Sequence, residues 1–292
     1  MRTVTFKTIL HGVTRMMGYD PDVDLTTELA AAYTEFINNR FREGYEWAFW
    51  PEVMLIEQRA YRQTHDSTEE YDEDDEVYSD DEDGYYIAAQ DVPAGTAITN
   101  TTYWTELTSF NRYVPWDPPA GTTGLTEIGE VEQISRSDPR LTKYVTLLPF
   151  SPSADGIQVE SDAPSLVYVK FRRRPGRFTS LTYNALTTYA ADALVYYPPT
   201  GECYRALNST TGNLPTTANW ERVEFPAFLE LFVKLAAYAD ALKDDGQLEK
   251  AEAVTGETDN PRPGTAYFEL QRLQDVIFGQ QGQGQAAQFI GR

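Results

Sequence analysis

The chain is short of cysteine, histidine and positive charge. Its 292 residues include one cysteine, Cys203, and two histidines, His11 and His65. A single cysteine excludes an intrachain disulfide, so the fold must stand on its core alone. Neither histidine lies in an HxxxH or His/Cys cluster, which argues against a zinc site. Lys and Arg number 24 against 45 Asp and Glu, a net charge of −21. Such a surface repels nucleic acid, yet it suits a wall past which DNA slides without sticking. No long apolar run is present, so no membrane span is expected, and the N-terminal residues do not read as a signal peptide. GxSxG, P-loop and GxGxxG segments are missing too, so no catalytic set and no cofactor are expected. With so many acids, some carboxylate pair falls close by accident, which leaves glycosidase chemistry without a specific signal.

What is present is hydrophobic periodicity. Phe6, Ile9, Leu10, Val13 and Met17 recur at helical spacing, with Gly18 placed to stop the helix. Asp24 reads as the N-cap of a second helix carrying Leu25, Leu29, Tyr33, Phe36, Ile37 and Phe41, bounded by Gly44 and Pro51. The aromatic exit Trp47, Phe49 and Trp50 reads as packing. Val53–Arg62 reads as a strand. Short runs at 130–136, 143–150, 156–161 and 165–175 are bounded by Asp, Pro, Gly and Ser, as strands are. In the last, Val167, Val169 and Phe171 share one face, and Tyr168, Lys170 and Arg172 the other. Helix returns with Pro226 fitting its first turn, and Phe228, Leu231, Phe232, Leu235, Ala239 and Leu242 make one stripe that ends near Gly246. A last helix carries Ala266, Leu270, Leu273 and Ile277. The Gln/Gly tail beyond it is of a composition that does not fold alone, and its apolar Phe289 and Ile290 suit docking on a partner.

Two stretches repeat a pattern. "GYYIAAQDVPAGTAITNTTYW" (84–104) and "GECYRALNSTTGNLPTTANW" (201–220) share a Gly, a Tyr before small apolar residues, a Pro, a Thr/Asn-rich loop and a Trp, and each follows a Val-Tyr pair (Val77-Tyr78, Val195-Tyr196). Both read as three-stranded units. An acidic run, Asp66–Gly84, occupies the place of the first copy's opening strand and reads as a solvated loop. Its DDEDG lacks the alternating ligands of a calcium loop. Cys203 reads as a core thiol. The sequons at Asn100 and Asn208 are of chance frequency in such loops. The one basic cluster, Lys170–Arg177, offers Arg172, Arg173, Arg174 and Arg177 for an acidic neighbouring subunit or DNA phosphate, or as charges guarding a strand edge.

The expected fold class is therefore α+β. Terminal helices (1–64 and 225–292) form a bundle core around a central antiparallel sheet region (126–180). Two inserted three-stranded modules occupy 65–125 and 187–224.

The second repeat resembles the small aromatic-rich modules found beside polysaccharide hydrolases, of the carbohydrate-binding family five/twelve (chitin-binding-like) type. That resemblance implies Tyr196, Tyr197, Tyr204 and Trp220 as residues that stack on sugar rings; the alternative is that so small a module needs them for its own core. The order "YVKFRRRPGRFTS", insert, "VEFPAFLELFVKLAAYADALKDDGQLEKAEA", "AYFELQRL", with "EGYEWAFWPE" after two N-terminal helices, resembles the head-to-tail adaptors of tailed bacteriophages, the tail tubular protein A type. This resemblance implies a non-enzymatic virion protein of the neck, assembled in the host bacterial cytoplasm. It implies a homo-oligomeric ring of twelve copies docked under the portal through the C-terminal helix and tail, meeting a tail or nozzle protein, with genomic DNA passing through and no membrane. The alternative is a carbohydrate-binding surface or tail protein.

Overall fold

A computed structural model describes residues 2–60, 63–79, 81–82, 84–107, 113–117, 126–154, 156–159 and 166–289. The fold is α+β and divides into two compact units, residues 1–52 with 175–292, and residues 53–174.

The α-helices of the first unit, among the described residues, are α1 (Phe6–Met16), α2 (Thr27–Glu46), α3 (Glu230–Asp244), α4 (Leu248–Thr255) and α5 (Ala266–Phe289). Helices from both ends of the chain pack together, α3 lying against α1, α2, α4 and α5. Thr5 caps α1 by accepting from the Thr8 amide, and Gly18, at φ 89°, ends it. The cap of α2 is Thr26, which accepts from Leu29, not Asp24. The Asp24 carboxylate instead turns back to accept the Asp20 amide at 2.8 Å. Gly44 lies inside α2 rather than at its end because the Phe232 ring of α3 fills the space a Cβ would need, 2.6 Å away. Pro226 is not in α3. It pairs in a two-residue strand with Thr3, and a 3-10 turn, Ala227–Leu229, leads into the helix.

The unit's centre is aromatic. Phe6 stacks on Phe178 at 5.2 Å, and Phe41 and Phe225 close around them. Arg40 of α2 forms a two-point fork with Asp240 of α3 (2.6 and 2.7 Å) and reaches Glu43, whose other oxygen accepts from Tyr267 of α5. Three helices are thereby tied by one guanidinium, the geometry arginine favours. Trp47 donates to Gln274, and Trp50 lies against Phe228 and Phe278, so the aromatic exit of α2 packs on α5 and the turn before α3. The backbone of α5 stays helical through the Gln/Gly-rich residues to Phe289, where composition alone predicts no structure. Gln and Ala favour helix, and a helix already nucleated at Ala266 extends without repeating the costly first turn. Ile290 lies outside the described residues.

The second unit is built on a sheet in the order Met54–Ala60, Leu166–Arg173, Ile128–Ser135, Leu147–Leu148, antiparallel throughout. Met54–Ala60, which the sequence assigns to the helical core, belongs here by its seven-residue pairing with the central strand. Tyr61 and Arg62, the rest of that expected strand, lie outside the described residues. Val167, Val169 and Phe171 are fully buried with Ile128, Ile134 and Ile157. The segment expected as one strand over 143–150 is only Leu147–Leu148 and then Phe150–Pro152. Before it, residues 137–146 form a loop. The buried Asp138 shapes that loop by accepting the Arg140 amide and guanidinium, while its carbonyl accepts from Leu141 and Thr142.

Candidate interaction surfaces

The two repeats fold alike. In the second, strands Leu194–Tyr197, Glu202–Ala206 and Trp220–Val223 form an antiparallel sheet. In the first, Glu76–Ser79, Gly84–Ala88 and Trp104–Glu106 do the same, with Gln63–Thr64 added in parallel. The correspondence reaches single contacts, at a spacing of 118 residues up to the alanine of the central strand and 116 at the closing tryptophan. His65 and Tyr183 each stack on a tyrosine, Tyr71 and Tyr189, at 5.8 Å in both copies. Those tyrosines meet Trp104 and Trp220 edge-on, at 5.3 Å in both. Among the described residues Asp74 and Asp192 are the two non-glycine residues with positive φ, 72° and 65°, and each amide donates to the matching alanine carbonyl, Ala88 or Ala206. Asp66 and Asn184 each fold back on the amide two residues on, at 2.9 Å.

The first copy is therefore complete, and the acidic run is part of its framework. Its acids accept backbone hydrogen bonds in the turns: Asp75 from the Asp72 amide and Asp91 from that of Glu73. The contacts of the second module reach back to Tyr183, before its expected start at 187. Residues 65–107 carry fourteen acidic side chains and no Lys or Arg. Asp80 and Asp83 of that run lie outside the described residues. Among the described residues no three acidic, His or Cys side chains are grouped to hold a metal ion.

The aromatic residues named for sugar stacking lie mostly inside. Trp220 and Tyr204 are buried in the core of the second module with Tyr189, Val195 and Ala206, and the Trp220 indole donates to the Asn213 carbonyl at 3.1 Å. Tyr196 is half-buried and meets Phe6 of α1 edge-on at 5.9 Å. Tyr197 is half-buried beside Tyr183 and Tyr204. These contacts are the packing that a module of forty residues needs, since aromatic side chains bury the most area each. Tyr183, absent from the sequence candidates, shares that edge of the module. Its signal was its place 118 residues after His65, which a change of residue type hides.

The second module is joined to the helical core at the N-terminus of α1. The Gly201 carbonyl accepts from the Lys7 amide at 2.9 Å, and the buried Glu202 carboxylate accepts from the Phe6 amide, where the helix dipole favours an anion. Burial raises the Glu202 carboxyl above its ordinary value, against the lowering effects of Arg222 and the Phe6 amide. Cys203 is fully buried beneath this joint, its thiol bonded to the Thr179 backbone and pushed up to about 12 by burial.

The basic strand is largely neutralised within its own sheet. Lys170 pairs with Glu132 at 2.7 Å, Arg172 with Glu130, and Arg174 with Glu127. Arg172 is 5% exposed and Arg173 half-buried. Arg177 lies on the first unit, exposed. The cluster thus divides between a cross-strand charge ladder and one outlying arginine. The C-terminal candidate Phe289 ends α5.

No protein-family model matches the sequence, and no curated protein matches it. Among the described residues no helix is long and apolar enough to cross a membrane.

Proposed function

We propose that this chain is a structural virion protein, a head-to-tail adaptor that docks as a ring under the portal of a tailed bacteriophage and helps to line the DNA conduit. The observation that carries the reading is the joining of helices from both chain ends into one body that ends in the 24-residue α5. The resemblance to adaptors follows that same order of elements. The excess negative charge supports a conduit wall that does not hold DNA. Helical packing, charge ladders and aromatic cores among the described residues suit an assembly role. The alternative, a sugar-binding surface, has less support, because Trp220 and Tyr204 pack inward.

The test is electron microscopy of the purified chain mixed with portal protein. The expected result is a twelve-fold ring seated beneath the portal. A chain that stays monomeric and shows no affinity for portal overturns the proposal.

A further inference from the structure

The loop between Ile128–Ser135 and Leu147–Leu148 exposes apolar side chains on an ordered scaffold. Leu141 is 86% exposed and Tyr144 81%, and the turn through Leu141 and Thr142 is fixed by Asp138. Lys143 lies 5.7 Å from the Tyr144 ring centroid and has no carboxylate partner among the described residues. A preorganised tip of this kind loses little freedom on binding, which favours a docking role over a chance exposure.

A receptor of opposite character lies on the other unit. Between α5 and the turn before it runs an open groove of about 580 Å³, lined by Pro261, Phe268 and Val276, by two acids, Asp259 and Asp275, and by Arg272, whose own charge is paired with Glu269 at 2.8 Å. Neither acid has a basic partner among the described residues. The groove thus offers apolar surface flanked by negative charge, and the loop offers apolar surface flanked by positive charge.

We propose that the Leu141–Tyr144 loop of one copy seats in the α5 groove of a second copy. Lys143 would then face Asp259 and Asp275, and Leu141 and Tyr144 would lie on Phe268 and Val276. Because the two surfaces differ, the contact is heterologous. Each copy gives a loop to one neighbour and a groove to the next, which makes rings when the rotation closes. The inference supplies a subunit contact for the adaptor reading and rests on that reading only for closure.

The full chain tests it. Tyr144→Cys and Val276→Cys are combined in one chain, and Cys203 stays in place because it is fully buried. A short bismaleimide should link this variant into a ladder running past dimers, while each single variant stops at dimers or below. Lys143→Glu and Asp275→Lys should each weaken self-association about tenfold, and the two together should restore it. Circular dichroism checks that each variant is folded. A chain that forms rings yet gives no ladder overturns this contact and leaves the adaptor reading standing. A ladder without a ring on the portal leaves the contact and removes the adaptor reading. Failure of ladder, charge reversal and ring removes both.

Discussion

Two tryptophans in matching places have unlike surroundings. Trp220 donates its indole N–H to Asn213, and the same carbonyl accepts from Tyr183 at 3.0 Å. In the first module His65 stands where Tyr183 does, and the loop before Trp104 is two residues longer than the one before Trp220. There the indole nitrogen of Trp104 and Nε2 of His65 are buried without a partner among the described residues. A buried donor with no acceptor carries a desolvation cost, whereas a satisfied bond contributes about 1 kcal/mol. Trp220→Phe should therefore destabilise more than Trp104→Phe, by about 1–2 kcal/mol. Denaturant melts of the two variants check it, and equal losses would show that the Asn213 bond carries no net stability.

At the scale of elements, the joint between the second module and α1 makes a pH-dependent contribution. Glu202 has its carboxyl raised above the unfolded value by burial, so the folded chain holds that proton more tightly than the unfolded one. The stability it contributes is full below the ordinary carboxylate value and is lost as pH rises through the raised one. Glu202→Gln should remove this slope. The difference in melting temperature between variant and parent should shift in the variant's favour as pH climbs from about 4 to 7, measured by scanning calorimetry in several buffers. A difference that is flat across that range would mean that burial does not govern this group. The joint was not legible in the sequence, because Glu202 and Phe6 lie about two hundred residues apart. The same limit hid the fate of the basic strand: Glu127, Glu130 and Glu132 are visible in the sequence, but not that their strand lies beside Lys170–Arg174. Elements whose signal is local were readable. The stripe of α1 and the alternation of Val167, Val169 and Phe171 are each fixed by neighbours within a few residues; in α3 the helix was readable but its face only in part, since Phe232, Ala239 and Leu242 are buried while Leu231 is exposed and Val233, Ala236 and Ala237 are buried with them. The Asp24 cap failed because Thr26, two residues on, competes for the same task with better geometry.

At the scale of the whole molecule, the charge is concentrated. Residues 65–107 hold fourteen acids with no base to answer them, and their mutual repulsion opposes the compact state. Salt shortens the reach of that repulsion, from about 30 Å at 0.01 M to about 10 Å at 0.1 M. Raising ionic strength over this range should stabilise the first module more than the second, whose residues 183–223 carry three acids and two arginines. Hydrogen exchange at the Ala88 and Ala206 amides, which occupy matching positions, compares the two directly, and equal salt responses would refute the idea. The repeat itself was legible only where residue identity is shared. The Val-Tyr pairs, the alanine and the tryptophan are set by the core, and Asp74 and Asp192 by their shared turn, while other outward positions differ: Glu69, Asp72 and Asp75 in one copy stand as Thr187, Ala190 and Ala193 in the other.

That division between a core shared in its main contacts and an outside left more open has a consequence for how such a chain changes over time. A duplicated chassis lets one exterior be rewritten while its twin keeps the attachment to the rest of the molecule. Novelty can accumulate on the acidic knob because the seam at the first helix is secured by the other.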